Sequence, residues 1–442
     1  MSSSSKRRCL LGNGSPAPSS CNCPFQYCES RDVTSSVKHC WRELLALTNH
    51  FVESYTIHKN IGQGTFGTIF LAKTKVSLLE NIDNDRLQPV MKGEYVAIKV
   101  FTAVVHPKAT EADEILVEHE CCILRKVASS SCMSIRSKFI VDLIETVNYA
   151  VVKRPFAAVF RFFEHSSYED YCMQMTETHL KMYMFGMLSA LAYVHDMNVI
   201  HRDIKPGNCL FNFVSMEFKL CDFGLSVSDL DAGYAMKPSD TRYNRCDRVK
   251  LEVRVRAGVR SRPVLFKPPH EFNRSGTTGF RAPEVLFECG RQSKAIDMWS
   301  AGAVFCALLN KHPGYAWFGS WALQRTTRRM GTFTHEKKSQ ARPWNTKCIA
   351  ELIGVFGREN VIRAAEAVGH VDPKSFGGPQ YELPAGVNIF IPIEEALCHD
   401  GGVGKSFVNV PEAFDIAFGC LQLIPKERLT AAEALRSSFF SN

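Results

Sequence analysis

The spacing of apolar residues divides the chain into a first part that predicts strands and a second part that predicts helices. Between residues 55 and 160, short runs of β-branched and aromatic residues follow one another, most clearly at 68–72 and 95–101. Beyond His165 the apolar residues form broad stripes at helical spacing, most clearly over 182–197. The pattern therefore changes from strands to helices near His165.

The first part also contains one predicted helix and one long interruption. The helix covers about residues 112–127, and residues 73–92 read as a loop inserted between two strands. Residues 140–148 and 156–160 predict the last two strands of this part. We expect residues 160–164 to connect it to the helical part.

Three other segments lack a regular pattern. Residues 1–40 are rich in Ser, Pro, Gly and Cys, which predicts a flexible tail. Residues 227–275 and 315–410 interrupt the helical part as long inserts, and one apparent helix covers about residues 349–367 within the second insert.

Composition narrows the class of protein. With 442 residues, 45% of them hydrophobic, the chain can form one large two-lobed domain or two ordinary ones. Its 17 cysteines are scattered, and no apolar segment of a secretory signal follows the basic start, so we expect the cytosol or the nucleus. No apolar run reaches about eighteen residues, so no membrane span is expected. Cys21, Cys23 and Cys28 could bind a metal, but no second pair with zinc-site spacing follows.

The formal charge of +8 is unevenly distributed. Residues 241–267 contain nine Lys or Arg against Asp247 and Glu252, and residues 325–342 form a second basic run. Both runs suit a solvated loop surface. They also suit attraction of acidic or phosphorylated substrates, or of nucleic acid. Because aromatic interleaving and a recognisable binding module are missing, nucleic-acid binding is expected only as an accessory property.

Two short polar stretches carry the chemistry. His-Arg-Asp-Ile-Lys-Pro-Gly-Asn occupies 201–208, and Asp-Phe-Gly follows at 222–224. Together they supply a carboxylate that can take a hydroxyl proton, a cation for a transferring phosphate, and oxygen ligands for Mg²⁺. Several unlike residues must meet this order and spacing at once, so the match indicates a phosphoryl-transfer site.

Two motifs of the strand-rich part complete the pattern. Gly-Gln-Gly-Thr-Phe-Gly at 62–67 lies between two strands, where backbone N–H groups can approach phosphate oxygens. Dinucleotide-binding folds share this glycine pattern, but a helix follows the glycines there and a strand follows them here. Val-Ala-Ile-Lys then occupies 96–99.

Together these motifs resemble the eukaryotic protein kinases over about residues 55–440. The resemblance implies an α+β, bilobal fold with a small antiparallel β lobe plus one helix, a large mainly helical lobe, and long inserts. Residues 1–40 would be the tail, 41–164 the small lobe with the hinge, and 165–442 the large lobe.

The resemblance also implies ATP and Mg²⁺ as cofactors and gives the site residues their roles. Asp203 would orient the substrate hydroxyl, Lys205 would stabilise the γ-phosphoryl group, and Lys99 would reach the α- and β-phosphates. Asn208 and Asp222 would bind Mg²⁺. On register, Glu120 is the expected partner of Lys99, and Glu118 is the alternative. The nucleotide would lie against Ile61, Gly62, Gln63, Gly64, Thr65, Phe66, Gly67, Ile69, Ala97, Lys99, Glu120, Phe160 and Phe162.

Four further residues would support the site on the same likeness. Thr277 would lie against Asp203 and Lys205. Glu284 would pair with Arg428, and Asp297 would bind the backbone of the catalytic loop.

Two further strings and the inserts are similar to those of the cell-division-cycle-seven kinases. The strings are Gly-Phe-Arg-Ala-Pro-Glu-Val-Leu at 279–286 and Ala-Ile-Asp-Met-Trp-Ser-Ala-Gly at 295–302. This likeness implies a nuclear serine/threonine kinase that depends on a Dbf-four-type subunit. It would phosphorylate the minichromosome maintenance helicase beside acidic or phosphorylated residues, to start DNA replication in the cell cycle. Its chromatin association would be indirect, with no membrane partner. Another acidophilic or cell-cycle kinase and a pseudokinase scaffold are the alternatives.

Overall fold

We describe a computed structural model of the chain, which has an α+β fold with a strand-rich small lobe and a helical large lobe. The described residues are 53–63, 67–78, 89–101, 111–128, 135–148, 155–228, 249–251, 264–266, 276–289, 292–309, 344–369 and 410–441. The fold class predicted from the sequence is thus confirmed.

The small lobe is a five-stranded antiparallel sheet. Its strands are β1 (Tyr55–Gln63), β2 (Thr68–Thr74), β3 (Tyr95–Val100), β4 (Leu143–Asn148) and β5 (Pro155–Arg161), in the spatial order β1-β2-β3-β5-β4. Because residues directly opposite each other share a face, the register of β2, β3 and β5 decides what lines the cleft. Ile69 lies opposite Lys99, and Ala97 lies opposite Phe160.

Helix α1 (Glu111–Ala128) packs beside this sheet. Its buried residues Val117, Cys121, Leu124 and Val127 recur at three- and four-residue intervals, so one face of the helix is apolar. Arg125 and Lys126 lie in the last turn, where their positive charges interact favourably with the negative end of the helix dipole.

The large lobe is built around two long helices. Helix α3 (Glu177–Asp196) follows the short helix α2 (Tyr168–Tyr171) and begins with Thr176, whose hydroxyl accepts from the backbone of His179. From Tyr183 to His195 nearly every residue of α3 is buried in the core of the lobe. Asn198, at φ 52°, then turns the chain into β6 (Val199–Ile200).

The helix at the centre of the large lobe is buried over nearly its whole length. After α4 (Pro283–Leu286) comes α5 (Ala295–Leu309), which is apolar on all sides and therefore lies inside the lobe. Helix α8 (Pro411–Cys420) packs against it. Helices α6 (Trp344–Phe356) and α7 (Arg358–Ala367) pack against α4, and α9 (Ala431–Ala434) packs against α3.

Short antiparallel strand pairs shape the loops between the lobes. Strand β6 pairs with β9 (Val227–Ser228), and β7 (Cys209–Phe211) pairs with β8 (Phe218–Leu220). These pairs hold residues 201–208 and 221–226 side by side. In the first predicted insert, β10 (Val249–Leu251) pairs with β11 (Val264–Phe266), a hairpin that the sequence did not predict.

Two predictions of elements were wrong in detail. The single helix expected over residues 349–367 is two helices, α6 and α7, because Gly357 between them has φ 81°, which a continuous helix does not allow. The connection expected at 160–164 is shorter, because Phe160 and Arg161 still pair with β3. Among the described helices, none has both the length and the apolar character needed to cross a membrane.

The contact between α5 and the end of α8 generates a stability prediction. A Cβ atom added to Gly302 would lie 2.8 Å from Leu421 Cγ and 2.9 Å from Cys420 Cβ. Gly302→Ala should therefore push the two helices apart and cost about 1–3 kcal/mol. We expect a thermal midpoint several degrees below that of the wild type, measured by circular dichroism.

Gly207→Ala is the matched control for this prediction. Its added Cβ would lie 3.9 Å from Lys205 Cε, which is ordinary van der Waals contact. An unchanged midpoint in Gly302→Ala would show that this helix crossing can relax without cost.

Candidate active site

Asp203 lies at the centre of a hydrogen-bond network that joins two segments of the large lobe. Its Oδ2 atom accepts from Lys205 Nζ at 2.6 Å and from Asn208 Nδ2 at 3.1 Å. Its Oδ1 atom accepts from Thr277 Oγ1 at 2.7 Å, and Thr277 Oγ1 accepts from Lys205 Nζ at 3.0 Å. A carboxylate offers about four acceptor positions, so capacity remains for a substrate hydroxyl. The structure thus brings these four predicted residues together.

Asn208 and Asp222 present oxygen atoms that suit Mg²⁺. Asn208 Nδ2 also donates to the backbone oxygen of Asp203 at 2.8 Å, which fixes the orientation of the amide. Within the described residues, no hydrogen bond uses Asn208 Oδ1 or Asp222 Oδ2. Mg²⁺ takes one or two protein oxygens and completes its shell with water and phosphate oxygens, so this donor pair fits the ion. The described ranges contain no group of three His, Cys, Asp or Glu residues arranged for another metal.

Lys99 connects the small lobe, α1 and the metal-binding loop. Its Nζ atom lies 2.6 Å from Glu120 Oε1 and 2.8 Å from Asp222 Oδ1. Burial by itself would lower the pKa of Lys99, but the two carboxylates raise it above its ordinary value, so the ammonium stays charged. Burial also opposes the ionisation of Asp222, yet the charge of Lys99 holds the pKa of this carboxyl below its usual value.

The structure distinguishes the two candidate glutamates. Glu120 is 3% exposed and contacts Lys99, whereas Glu118 is exposed and lies 3.6 Å from Arg125 on the same helix. Residues two positions apart on an α-helix point about 200° apart, so Glu118 and Glu120 cannot both face Lys99.

The predicted nucleotide-facing residues of the sheet share one surface. Ile69, Ala97, Lys99 and Phe160 lie on the same face by strand register. Gly67 has a packing role in addition, because a Cβ atom there would lie 2.5 Å from the carbonyl oxygen of Val100. Ile61, Gly62 and Gln63 form the end of β1. Gly64, Thr65 and Phe66 lie outside the described residues.

The hinge is fixed to the sheet through backbone hydrogen bonds. The N–H group of Phe162 donates to Tyr95 O at 3.3 Å, so it is already engaged. His165 Nδ1 donates to Phe163 O at 3.1 Å. In the described part of the chain, no hydrogen bond uses the N–H group of Phe163. Phe163, which the sequence analysis did not select, therefore has a donor available for an adenine.

Asp297 fixes the backbone of the catalytic loop, as its predicted role requires. Its Oδ2 atom accepts from the N–H of His201 at 2.8 Å, and its Oδ1 atom accepts from the N–H of Arg202 at 2.7 Å. His195 Nε2 lies 2.9 Å from the same Oδ2. Arg202 has φ 70°, a conformation that costs free energy in a residue other than glycine, so these hydrogen bonds hold a strained turn. His195 was missed, although it lies six residues before His201.

Glu284 and Arg428 form a buried, bidentate ion pair. Both Nη atoms of Arg428 donate to Glu284 at 2.7 Å. The remaining guanidinium hydrogens are taken by the backbone oxygens of Gln422, Leu423 and Ala295. All five donors are therefore used, which anchors α4 to the C-terminal part of the lobe.

Several predicted features fall outside the described residues. These are the tail with Cys21, Cys23 and Cys28, most of the basic run 241–267, and the whole of 325–342.

Comparisons with known proteins match the chain to protein kinases. Residues 55–241 and 265–440 match the family model described as protein kinase domain. The chain is 27% identical over 400 residues to the probable cell division control protein 7 homolog 2 of Encephalitozoon cuniculi, covering 88% of this chain and 92% of that protein. It is 24% identical over 418 residues to the cell cycle protein kinase spo4 of Schizosaccharomyces pombe, covering 88% and 86%.

A shorter match points in the same direction. Over 290 residues the chain is 26% identical to the cell cycle serine/threonine-protein kinase hsk1 of Schizosaccharomyces pombe, covering 61% of this chain and 54% of that protein. These relatives support the resemblance to the cell-division-cycle-seven kinases stated from the sequence.

The buried ion pair generates a stability prediction. Glu284→Ala leaves the guanidinium of Arg428 buried without its carboxylate, which should cost about 3–5 kcal/mol. We expect a clear loss of the free energy of unfolding, measured by urea denaturation followed by tryptophan fluorescence.

Glu94→Gln is the control, because Glu94 lies at a similar 2.8 Å from Arg161 but both side chains are partly exposed. Its cost should stay within about 1 kcal/mol. If both variants lost the same free energy of unfolding, burial would not be what makes the Glu284–Arg428 pair important.

Proposed function

The chain belongs to the protein kinase family, and from this premise we propose that it transfers the γ-phosphoryl group of ATP to serine or threonine hydroxyls of cell-cycle proteins. The observation that carries the proposal is that Lys99 contacts both Glu120 and Asp222 while Asp203 holds Lys205, Asn208 and Thr277. These contacts support the proposal, because they hold the lysine expected at the phosphates and the carboxylate expected at the substrate hydroxyl in place.

In the proposed reaction, the substrate oxygen forms a bond to the γ-phosphorus as the bond to the β-phosphate oxygen breaks. Asp203 orients the hydroxyl and accepts its proton, and Lys205 stabilises the charge on the transferring group. Lys99 positions the α- and β-phosphates. Mg²⁺, held by Asn208 and Asp222, would neutralise phosphate charge. Positioning and charge stabilisation supply most of the rate.

We further propose that the substrate is the minichromosome maintenance helicase and that phosphorylation starts DNA replication. The relatives named cell division control protein 7 homolog and cell cycle protein kinase support a role of this kind. The basic runs of the sequence suit acceptor sites beside acidic or phosphorylated residues. A nuclear location follows from such a substrate, with chromatin association through the substrate.

An activating partner of the Dbf-four type is part of the proposal. Glu120 must stay against Lys99 for transfer, and the helix that carries Glu120 is a movable element in many kinases. A subunit that packs on α1 would favour the closed arrangement.

Two substitutions test the phosphotransfer itself. Lys99→Met and Asp203→Asn should each lower kcat by about two to three orders of magnitude or more, because each removes a group that acts on the reacting phosphates or hydroxyl. The assay measures transfer of labelled phosphate from ATP to protein, with circular dichroism to verify folding.

Lys92→Ala is the matched control, since Lys92 is an exposed lysine of the same lobe. If a pure Lys99→Met preparation still transferred phosphate at the wild-type rate, the assignment of the active site would be wrong.

The substrate and partner are tested together. We expect the purified chain with a Dbf-four-type subunit to phosphorylate the N-terminal tail of a minichromosome maintenance protein, and the chain alone to do so weakly. If the lone chain phosphorylates generic substrates equally well with or without the subunit, the kinase activity stands and the proposed partner and substrate do not.

A further inference from the structure

Helix α1 is attached firmly at its C-terminal end. Arg125 donates to Thr146 Oγ1 of β4 through Nε at 3.2 Å and through Nη2 at 2.7 Å. The hydroxyl of Tyr193 on α3 donates to Val127 O at 2.7 Å in a buried contact. The last turn of α1 is therefore tied to both lobes. Glu120, nearly two turns earlier, needs other contacts to hold it at Lys99.

His119 makes such a contact. Its Nε2 atom lies 3.0 Å from the backbone oxygen of Ser226, a residue 107 positions later in the chain. A carbonyl oxygen can only accept, so Nε2 carries the hydrogen and donates it. The bond joins α1 of the small lobe directly to the segment that follows the metal-binding loop.

Ser226 is in turn tied to the catalytic loop. It is 1% exposed, its hydroxyl donates to His201 O at 3.2 Å, and its N–H donates to Phe223 O at 3.0 Å. The next residue begins β9, which pairs with the strand leading to His201. The carbonyl that His119 contacts is therefore placed by the catalytic loop itself.

The position of that carbonyl also depends on the backbone of the metal-binding loop. Asp222 has φ 64°, a left-handed conformation that a residue other than glycine keeps only when its surroundings enforce it. A change of this angle would move Ser226, four residues later. The His119 hydrogen bond thus favours the loop conformation in which Asp222 reaches Lys99.

We propose that His119 is a positioning residue that couples α1 to the metal-binding and catalytic loops, so that the Lys99–Glu120 pair and the arranged Asp222 loop form together. The two adjacent side chains of α1 contact different lobes. Glu120 contacts the ammonium group of Lys99 in the sheet, and His119 contacts the backbone of the large lobe. This inference rests on the proposed phosphotransfer, in which both contacts are needed at once.

The test compares three variants of the full chain in the phosphotransfer assay. His119→Ala should lower kcat about fivefold, the factor of one ordinary hydrogen bond, and should change KM for ATP less than twofold because the hinge and glycine turn are untouched. His119→Gln keeps a side-chain N–H donor and should recover at least half of the loss. Glu118→Gln, an exposed neighbour on α1, should behave as the wild type.

Amide hydrogen exchange without nucleotide provides a readout that does not need activity. In His119→Ala, exchange over residues 222–228 and in the first half of α1 should accelerate about fivefold. In His119→Gln and Glu118→Gln it should stay near the wild-type rate.

The outcomes separate the two proposals. Unchanged kcat and unchanged exchange in His119→Ala would overturn the coupling, as would a His119→Gln variant as impaired as His119→Ala. A wild-type chain that binds ATP but transfers no phosphate with any partner would overturn the proposed function, while the exchange measurement would still decide whether His119 couples the segments.

Discussion

The arrangement of the two lobes depends on one buried ammonium group. Lys99 belongs to a strand of the small lobe, Glu120 to α1 and Asp222 to the large lobe, and the three meet within hydrogen-bond distance. A buried charge is costly unless oppositely charged groups surround it, so Lys99 favours the closed arrangement over any in which either carboxylate moves away. The same geometry that satisfies Lys99 places Asp222 beside the space where a nucleotide phosphate would lie.

Apolar packing sets α1 against only part of the sheet. Most buried residues of the five-stranded sheet, such as Phe70 and Ile98, form one cluster. The apolar face of α1, with Val117, belongs to the larger cluster, which also includes Leu143 of β4 and Ala158 of β5 and continues into the helical lobe. The apolar contact of α1 with the sheet therefore involves β4 and β5, and the ion pair of Lys99 adds a directional contact from β3.

In the large lobe, buried polar contacts hold the catalytic loop in place. Helix α5 is buried along its length and carries Asp297, which binds two successive backbone N–H groups of the catalytic loop. Arg428 uses every guanidinium hydrogen to hold Glu284 and three backbone oxygens. These fully satisfied buried charges restrict alternatives, since each other arrangement would leave a charged group without partners. The catalytic loop therefore keeps its strained turn at Arg202 before any substrate arrives.

The sequence by itself determined the fold class, the family and the order of the chemical groups, because short motifs such as 201–208 and 96–99 combine several unlike residues at fixed spacing. It also predicted the strands of the small lobe, since period-two and β-branched patterns are local. Only the tertiary structure decided what depends on contacts between distant segments. The direction of each side chain on α1 decided that Glu120, and not Glu118, pairs with Lys99. The contact of His119 with Ser226 and the available donor of Phe163 were not predicted, because a backbone carbonyl or N–H group is the same in every residue and leaves no mark in the sequence.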